Sequence, residues 1–372
     1  MIKLKKTQLL RLNKDKIKDK KVILRVDFNL EEINGNFYGK YRIEAIKETV
    51  NFLKEAKKII LISHFDDPER KEGKYSLKRI LPLIQKVLKI KIGFLEDLNQ
   101  ISQEKFSLLE NIRFWPEEKK NDLDFAKKLS SLGEVFVNDA FSVSHRKHAS
   151  IYLLPKLLPT YFGFNFEREI TLLNKVLKSK NSAFILGGAK ISTKLPLIKK
   201  FLKKANLIFL AGGLANTYLK SLGFEVGKSL IEEEMIEEIK RIRSGKILIP
   251  FSFKVKNKNN RVEIKNLGEI GKEDEIIDVF NLENIFKELR KAKIIIWNGP
   301  LGIIEKKESE KGTLNLAKFL ASLKNKFILV GGGDTLGFLE RKKLLKKFKF
   351  ISTGGGAMLE YLATEKLPIF EK

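Results

Sequence analysis

Short runs of β-branched and aromatic residues recur from one end of the chain to the other, each long enough for one buried strand. They are KVILRV (21–26), IILIS (59–63), VFVND (135–139), AFILGG (183–188), LIFLAGG (207–213), KILIP (246–250), IIIWNGP (294–300), FILVGGG (327–333) and FISTGGG (350–356). An apolar run without alternation reads as a strand covered on both faces, the signature of a parallel sheet flanked by helices. Helical patterns fill the intervals. In YRIEAIKETVNFLKEAKK, Ile43, Ile46, Val50 and Leu53 make one apolar stripe. Strand and helix in repetition predict an α/β fold of doubly wound parallel sheets.

The strand ends fall into two groups. The early ones close on Asp27, His64 and Asp139, and most of the later ones close on glycine. Ligands of such sheets bind at the carboxyl ends of the strands, so the two halves present different chemistry. At 372 residues the chain exceeds what one core usually holds. The segment 161–179 reads as a long helix joining two domains, expected at 1–164 and 165–357.

Composition narrows the class. A hydrophobic fraction of 43% with 10% aromatics is that of a soluble globular chain. No apolar run approaches the roughly 20 residues that span a bilayer, so no membrane partner is expected. The opening MIKLKKTQLLRLNKDK lacks the uninterrupted apolar core of a secretory signal. With no cysteine there are no disulfides, thiolate metal sites or cysteine nucleophiles, and a cytoplasmic location is expected. The net charge of +27 invites a nucleic-acid reading. The lysines are spread along the chain at helical spacing, as solvated faces require, and no recognition helix or aromatic–basic strand accompanies them. Nucleic acid is not an expected partner.

Glycine loops dominate the second half. FILVGGGDTLGFLE (327–340) reads either as a tight strand-to-helix turn or as a phosphate loop, since bare backbone and a helix N-terminus both suit an anion. In GGAKISTK (187–194), Lys190 and Lys194 are four apart, expected on one helical face. They could bracket a phosphoryl group in flight, or be a solvent-facing pair. AGGLANTYL (211–219) offers flat backbone to a purine, or serves helix packing. WNGPLGIIE (297–305) offers the Asn298 amide to a phosphate and the Glu305 carboxylate to a ribose. GGGDT (331–335) offers Asp334 to a phosphate-bound Mg²⁺ and Thr335 to a phosphate oxygen. GFEVGKS (223–229) has three residues between its glycines where a Walker A loop has four, and Leu336 stands where a dinucleotide fingerprint has its third glycine.

The first half carries arginines instead. RVDFN (25–29) holds Arg25, Asp27 and Asn29. Arg42 opens the next helix, LLENIRF (108–114) supplies Arg113, and VNDAFSVSHRKHAS (137–150) holds His145, Arg146 and His148. Arginine forks match carboxylate and phosphate, and four of them near strand ends in a lysine-rich chain point to an anionic substrate. The two histidines read as donors to that anion, since no third metal ligand stands nearby.

With RVDFN, ENIRF, VNDAFSVSHRKHAS, ILGGAKIST, VGKSL, WNGPLG, VGGGDT and ISTGGGA in this order, the chain resembles the phosphoglycerate kinase family over nearly its whole length. The resemblance implies two Rossmann-like domains joined by a long helix with a hinge, the tail 358–372 packing back on the first domain. It implies reversible phosphoryl transfer between 1,3-bisphosphoglycerate and Mg-ADP, giving 3-phosphoglycerate and Mg-ATP, by a monomer. Asp27, Phe28, Asn29, Arg42, His64, Arg113 and Arg146 would hold the glycerate substrate. Lys194, Gly212, Gly213, Asn298, Glu305, Gly332, Gly333, Asp334 and Thr335 would hold the nucleotide, with Asp334 near its Mg²⁺. Arg42, Lys190 and Lys194 would stabilise the group in transfer, which needs no nucleophile when it proceeds in line.

One departure bears on activity. The family reads Ser-His-Leu-Gly-Arg-Pro after its second strand, its arginine contacting the substrate phosphate, and this chain reads SHFDDPER (63–70), with Asp67 in the arginine's place. The expectation is a re-registered loop, Asp66 and Asp67 turned outward and Arg70 or Lys71 swung back as the replacement cation. The alternative is a degenerate homologue that binds nucleotide without transfer.

Overall fold

The computed structural model describes residues 12–371; the opening 1–11, on which the reading of the N-terminal segment rests in part, lies outside them. The chain forms two compact units. One runs to Thr171 and takes up the chain again from Glu365, and the other is Leu172–Thr364. The division therefore falls inside the helix Phe164–Lys178 and not at 164/165. The returning segment begins at Glu365 and not at 358, because helix Gly355–Thr364 packs on helix Leu195–Phe201 of the second unit.

The first unit is built on a six-stranded sheet in the order Ile92–Leu95, Phe106–Leu109, Lys58–Ile62, Lys21–Arg25, Val135–Asn138, Thr160–Phe162, every neighbour parallel. Its interior strands are buried along nearly their full length, as their unbroken apolar sequence predicts. The stripe Ile43, Ile46, Val50 and Leu53 is buried throughout, although the helix carrying it breaks at Ile46 into Lys40–Ala45 and Lys47–Phe52. Strand order reverses between Lys21–Arg25 and Val135–Asn138, the switch point where such sheets open a crevice.

A second six-stranded parallel sheet, Ile247–Leu248, Leu207–Leu210, Ser182–Leu186, Ile294–Asn298, Phe327–Gly331, Phe350–Ser352, forms the other unit. Here the order reverses between Ser182–Leu186 and Ile294–Asn298. A small antiparallel sheet, Val262–Asn266, Ser252–Lys256, Glu275–Val279, is added to it. Both main sheets are Rossmann-like and doubly wound. Among the described residues no helix is long and apolar enough to cross a membrane.

The C-terminal segment is fastened to the first unit by aromatic packing. Phe370 meets Phe162 and Phe166 edge-on at 5.7 and 6.1 Å between centroids, and Phe166 also meets Phe141 at 5.4 Å. Ile369 packs against Ala140, Val143 and Ile151, and Lys147 pairs with Glu371 at 2.8 Å. Phe370→Ala removes half-buried ring contacts, which predicts a loss of about 1–2 kcal/mol in denaturant unfolding. It also predicts faster amide exchange around Phe162 and Phe166. An unchanged midpoint and unchanged exchange would show that the tail is not a fastening.

Candidate active site

In the first unit the strand ends are laced together by short polar side chains. Asp27 is the hub. Its Oδ1 accepts from the Asn29 amide at 2.9 Å, while Oδ2 accepts from Ser142 Oγ and pairs with Arg42 Nη1. Asp27 and Ser142 thus join the two strand ends that flank the switch point. The Asn29 carboxamide accepts from the Asp66 amide at 2.6 Å, and the Phe28 amide donates to Ser63 Oγ at 2.9 Å. Asn111, fully buried, accepts from the amides of Phe65 and Arg113, each at 3.1 Å, and donates to the carbonyls of Phe65 and Tyr75. This one carboxamide fixes the loop of His64 and the backbone of Arg113 together.

The field at this edge is strongly positive. Burial, reinforced by Arg113, Arg25, Arg42 and Arg146, holds the His64 imidazole well below its ordinary pKa, so the ring is neutral among four guanidinium groups. Burial also lowers Arg113, against the pull of Asp67, and its side chain is only 5% exposed. Burial opposes the charge on Arg42 as well, yet Asp27 and Tyr41 together outweigh it and raise the pKa of the group. Arg146 is exposed, with His145 and His148 half-buried beside it. Arg25 has a different role from its neighbours. It turns into the core, where Nε donates to Ser150 Oγ at 3.1 Å, and Ser150 in turn donates to the buried Glu118 at 2.5 Å.

The loop 63–70 differs from its expected course. Asp67 does not turn away: its Oδ1 accepts from Lys119 Nζ at 3.0 Å and stands 3.7 Å from Arg113 Nη1. Arg70 does not swing back: it is 82% exposed and bonded to Glu72 at 3.0 Å, and Lys71 is exposed. The reason is electrostatic. Asp66 takes a left-handed turn (φ 59°) and gives its carbonyl to Arg113 at 2.5 Å, which delivers the next carboxylate to a cation already in place.

In the second unit the strand ends meet as bare backbone. The amides of Gly187 and Gly188 donate to the carbonyls of Asn298 and Pro300, both at 2.9 Å. A Cβ on Gly187 would stand 2.0 Å from the Pro300 oxygen, so only glycine allows this approach at the switch point. Thr335, fully buried, accepts from the Gly299 amide at 3.0 Å and ties the Gly331–Gly333 turn to the same loop. Beside these turns lies a cavity of about 320 Å³. Gly188, Gly212, Gly213, Pro300, Leu301 and Ile303 give it a flat, largely apolar wall, and Glu305 and Asp334 are its exposed carboxylates. Its volume is at the lower end of the range for small-molecule sites.

Of the residues expected to hold a nucleotide, Gly212, Gly213, Glu305 and Asp334 line this cavity. Asn298, Gly332, Gly333, Thr335 and Lys194 lie outside its wall. Asn298 Nδ2 would be 3.0 Å from a Cβ on Gly332, and Lys194 Nζ would be 3.8 Å from one on Gly188. Lys190 and Lys194 do not share a helical face. The helix begins only at Leu195, where Pro196 fits the first turn, and 187–194 is a loop with Lys190 exposed and Lys194 buried. Burial lowers the Lys194 ammonium pKa, while Asp334 and Glu232 pull it back. Glu232 also accepts from the Ser192 amide and hydroxyl at 2.9 and 2.6 Å, which steadies that loop.

Sequence reasoning missed Asn111, Glu118, Lys119, Glu232 and Asp278. Asp278 is a cavity residue whose carboxyl, accepting from the amides of Val279 and Gly312, is pushed up by burial to about 6. A carboxamide or carboxylate that works by tying loops has no local signature. Only the ENIRF run, with Asn111 two residues before Arg113, could have exposed one of them.

Fold and site together define a two-domain α/β protein with Rossmann-like sheets, guanidinium groups at one set of strand ends and glycine backbone at the other. A family model described as phosphoglycerate kinase matches residues 12–365. The phosphoglycerate kinase of Coprothermobacter proteolyticus is 36% identical over 355 residues, covering 89% of this chain and 90% of that protein. That of Borrelia garinii subsp. bavariensis is 39% identical over 352 residues, covering 88% and 89%. The crystal structure of phosphoglycerate kinase from Pyrococcus horikoshii OT3 superposes with a TM-score of 0.85 at 29% identity, over 97% of each chain. The chain belongs to the phosphoglycerate kinase family. Enzymes of that name are phosphotransferases with a carboxyl group as acceptor.

The three histidines make the field measurable. His64 is held well below the ordinary 6.5, His145 at about 4 and His148 at about 3, each by burial first and neighbouring arginines second. Unfolded rings take protons near 6.5 and the folded ones do not, so these groups contribute stability above that pH which drains away as the pH falls towards about 4. In NMR titration of the folded protein the ring signals stay at their neutral positions from about pH 8 to 5.5. A ring that titrates near 6.5 would show that no such field exists.

Proposed function

We propose that this chain catalyses reversible, Mg²⁺-dependent, direct in-line phosphoryl transfer between 1,3-bisphosphoglycerate and ADP, giving 3-phosphoglycerate and ATP. The observation that carries the reading is the set of arginines around neutral His64 at the carboxyl edge of the first sheet. It supplies cation charge and hydrogen-bond donors to an acidic phosphorylated substrate, and direct in-line transfer needs no nucleophile beyond the substrate carboxylate.

In this reading Asp27, Phe28, Asn29, Arg42, His64, Arg113 and Arg146 hold the glycerate substrate. Asp27 keeps Arg42 aligned, and Arg42 faces the phosphoryl group as it leaves. The cavity of the second unit takes the nucleotide, its ring against Gly212 and Gly213, its ribose at Glu305, its phosphates at the turns of Asn298, Gly332, Gly333 and Thr335. Lys194, with an ammonium partly stripped of water, supplies charge where negative charge develops, and Lys190 reaches in from its exposed loop. For the metal the donor set is informative. Among the described residues no cluster of three histidines or carboxylates could cage an ion, yet a single carboxylate, Asp334 beside the Gly331–Gly333 turn, suits Mg²⁺ held mainly by nucleotide phosphates. Bound there, the ion would neutralise phosphate charge. The two half-sites belong to different units, so transfer calls for a hinged closure that unites the ligands and excludes water. We place the enzyme in the cytoplasm, acting as a monomer.

The carboxylate of Asp67 against Arg113 favours one competing reading, a homologue that binds nucleotide without transfer. A coupled assay with 3-phosphoglycerate and Mg-ATP decides between them. Turnover supports the kinase, and nucleotide binding without turnover supports the alternative. Lys194→Ala should lower kcat by about 10²–10³ with little change in Mg-ADP affinity, as expected for a group that acts on the transition state. Asp334→Ala should weaken Mg-nucleotide binding and leave 3-phosphoglycerate binding intact. Equal losses for both ligands would assign either residue to folding instead.

A further inference from the structure

Lys119 belongs to no motif, yet it sits beside the buried guanidinium of the first unit. It lies in the short helix Pro116–Lys120, which directly follows the turn Ile112–Phe114 carrying Arg113. One oxygen, Asp67 Oδ1, is shared between the two cations, 3.0 Å from Lys119 Nζ and 3.7 Å from Arg113 Nη1. An anionic oxygen held between an ammonium and a guanidinium marks a place built for anions, and a phosphate offers more charge and more oxygens to the same donors.

We infer that Lys119 and Arg113 together form the cation pair for the phosphate of the acidic substrate, and that Asp67 is a built-in anion which the phosphate displaces. The inference rests on the reading of the first unit as the phosphoglycerate site. It replaces the cation expected from the loop itself, because Arg70 is engaged with Glu72 and directed to solvent. Displacement is feasible on this geometry. The Asp67 side chain is 54% exposed, and exposed ion pairs are weak. Arg113, by contrast, is buried and held by the Asp66 carbonyl, so the cation stays when the carboxylate leaves. The pair also protects the free protein. A guanidinium and an ammonium this close repel, and one carboxylate between them relieves the repulsion until substrate arrives.

The bland account is that Lys119 merely neutralises Asp67 and never meets the ligand. A double-mutant cycle separates the two, read by calorimetric binding of 3-phosphoglycerate to the full chain at low ionic strength, with inorganic phosphate as a second probe. Asp67→Asn removes a competitor and should tighten 3-phosphoglycerate binding roughly three- to tenfold. Lys119→Gln should weaken it, and should still weaken it roughly threefold or more in the Asp67→Asn background. Lys119→Arg should restore it. Inorganic phosphate should follow the same order. If Lys119→Gln has no effect once Asp67 is Asn, Lys119 is only a counter-ion and the inference falls. If Asp67→Asn weakens binding, the carboxylate is not a competitor and it falls again. A natural chain that binds no 3-phosphoglycerate would overturn the underlying reading, and this inference with it.

Discussion

A strand in a parallel sheet covered on both faces has no free surface along its length. Its side chains are committed to the core, and only the residues just past its carboxyl end are released to do chemistry. Both units of this protein are organised by that constraint. Asp27, His64, Arg113 and Ser142 follow four strands of the first sheet, and Gly187, Gly212, Asn298 and Gly332 mark the corresponding ends in the second. In each sheet the order reverses between two particular strands, and hydrogen bonds tie those two ends together. Asp27 and Ser142 do this through side chains, and Gly187 with Asn298 and Gly188 with Pro300 do it through bare backbone.

The two ends solve opposite electrostatic problems. In the first unit cations must be kept charged in partial burial, which is costly unless partners are near. Asp27, Asp67 and Glu118 are those partners, and each is tied to a donor close by: Arg42, Lys119 and Ser150. His64 is buried among the same cations and therefore stays neutral, which excludes further repulsion and preserves a hydrogen-bonding ring. In the second unit we assign the positive charge to the buried Lys194, to Lys190 on its exposed loop and to amides that glycine leaves uncovered. A site of this kind suits a reaction in which positioning and fixed dipoles supply the catalysis.

Much of the fold was legible because burial on both faces leaves unbroken apolar runs. The run KVILRV became Lys21–Arg25, and IIIWNGP became Ile294–Asn298. What escaped had weaker patterns. Ile92–Leu95 is interrupted by Gly93, and the hairpin Glu31–Ile33 with Asn36–Tyr38 is largely exposed. The hairpin did carry a local signal, Asn34-Gly35, both with positive φ. The arginines and glycines of the candidate site stood out in the sequence as residue types at strand ends. The site was not legible in its connections, since Asp67 and Lys119 are 52 residues apart and Ser150 and Glu118 are 32 apart. Lys190 and Lys194 show the reverse error. Their spacing suggested a helix, and the backbone there is a loop that Pro196 brings to an end.

The central claim is that the phosphoryl group passes directly between the two ligands, assisted by charge alone. The stereochemistry at phosphorus tests it most directly. ATP made chiral at its γ-phosphorus with oxygen isotopes is incubated with 3-phosphoglycerate and the enzyme, and the configuration of the transferred group is determined. One in-line displacement inverts the configuration, and this account predicts inversion. Retention would require two displacements through a phosphorylated side chain, and would contradict it.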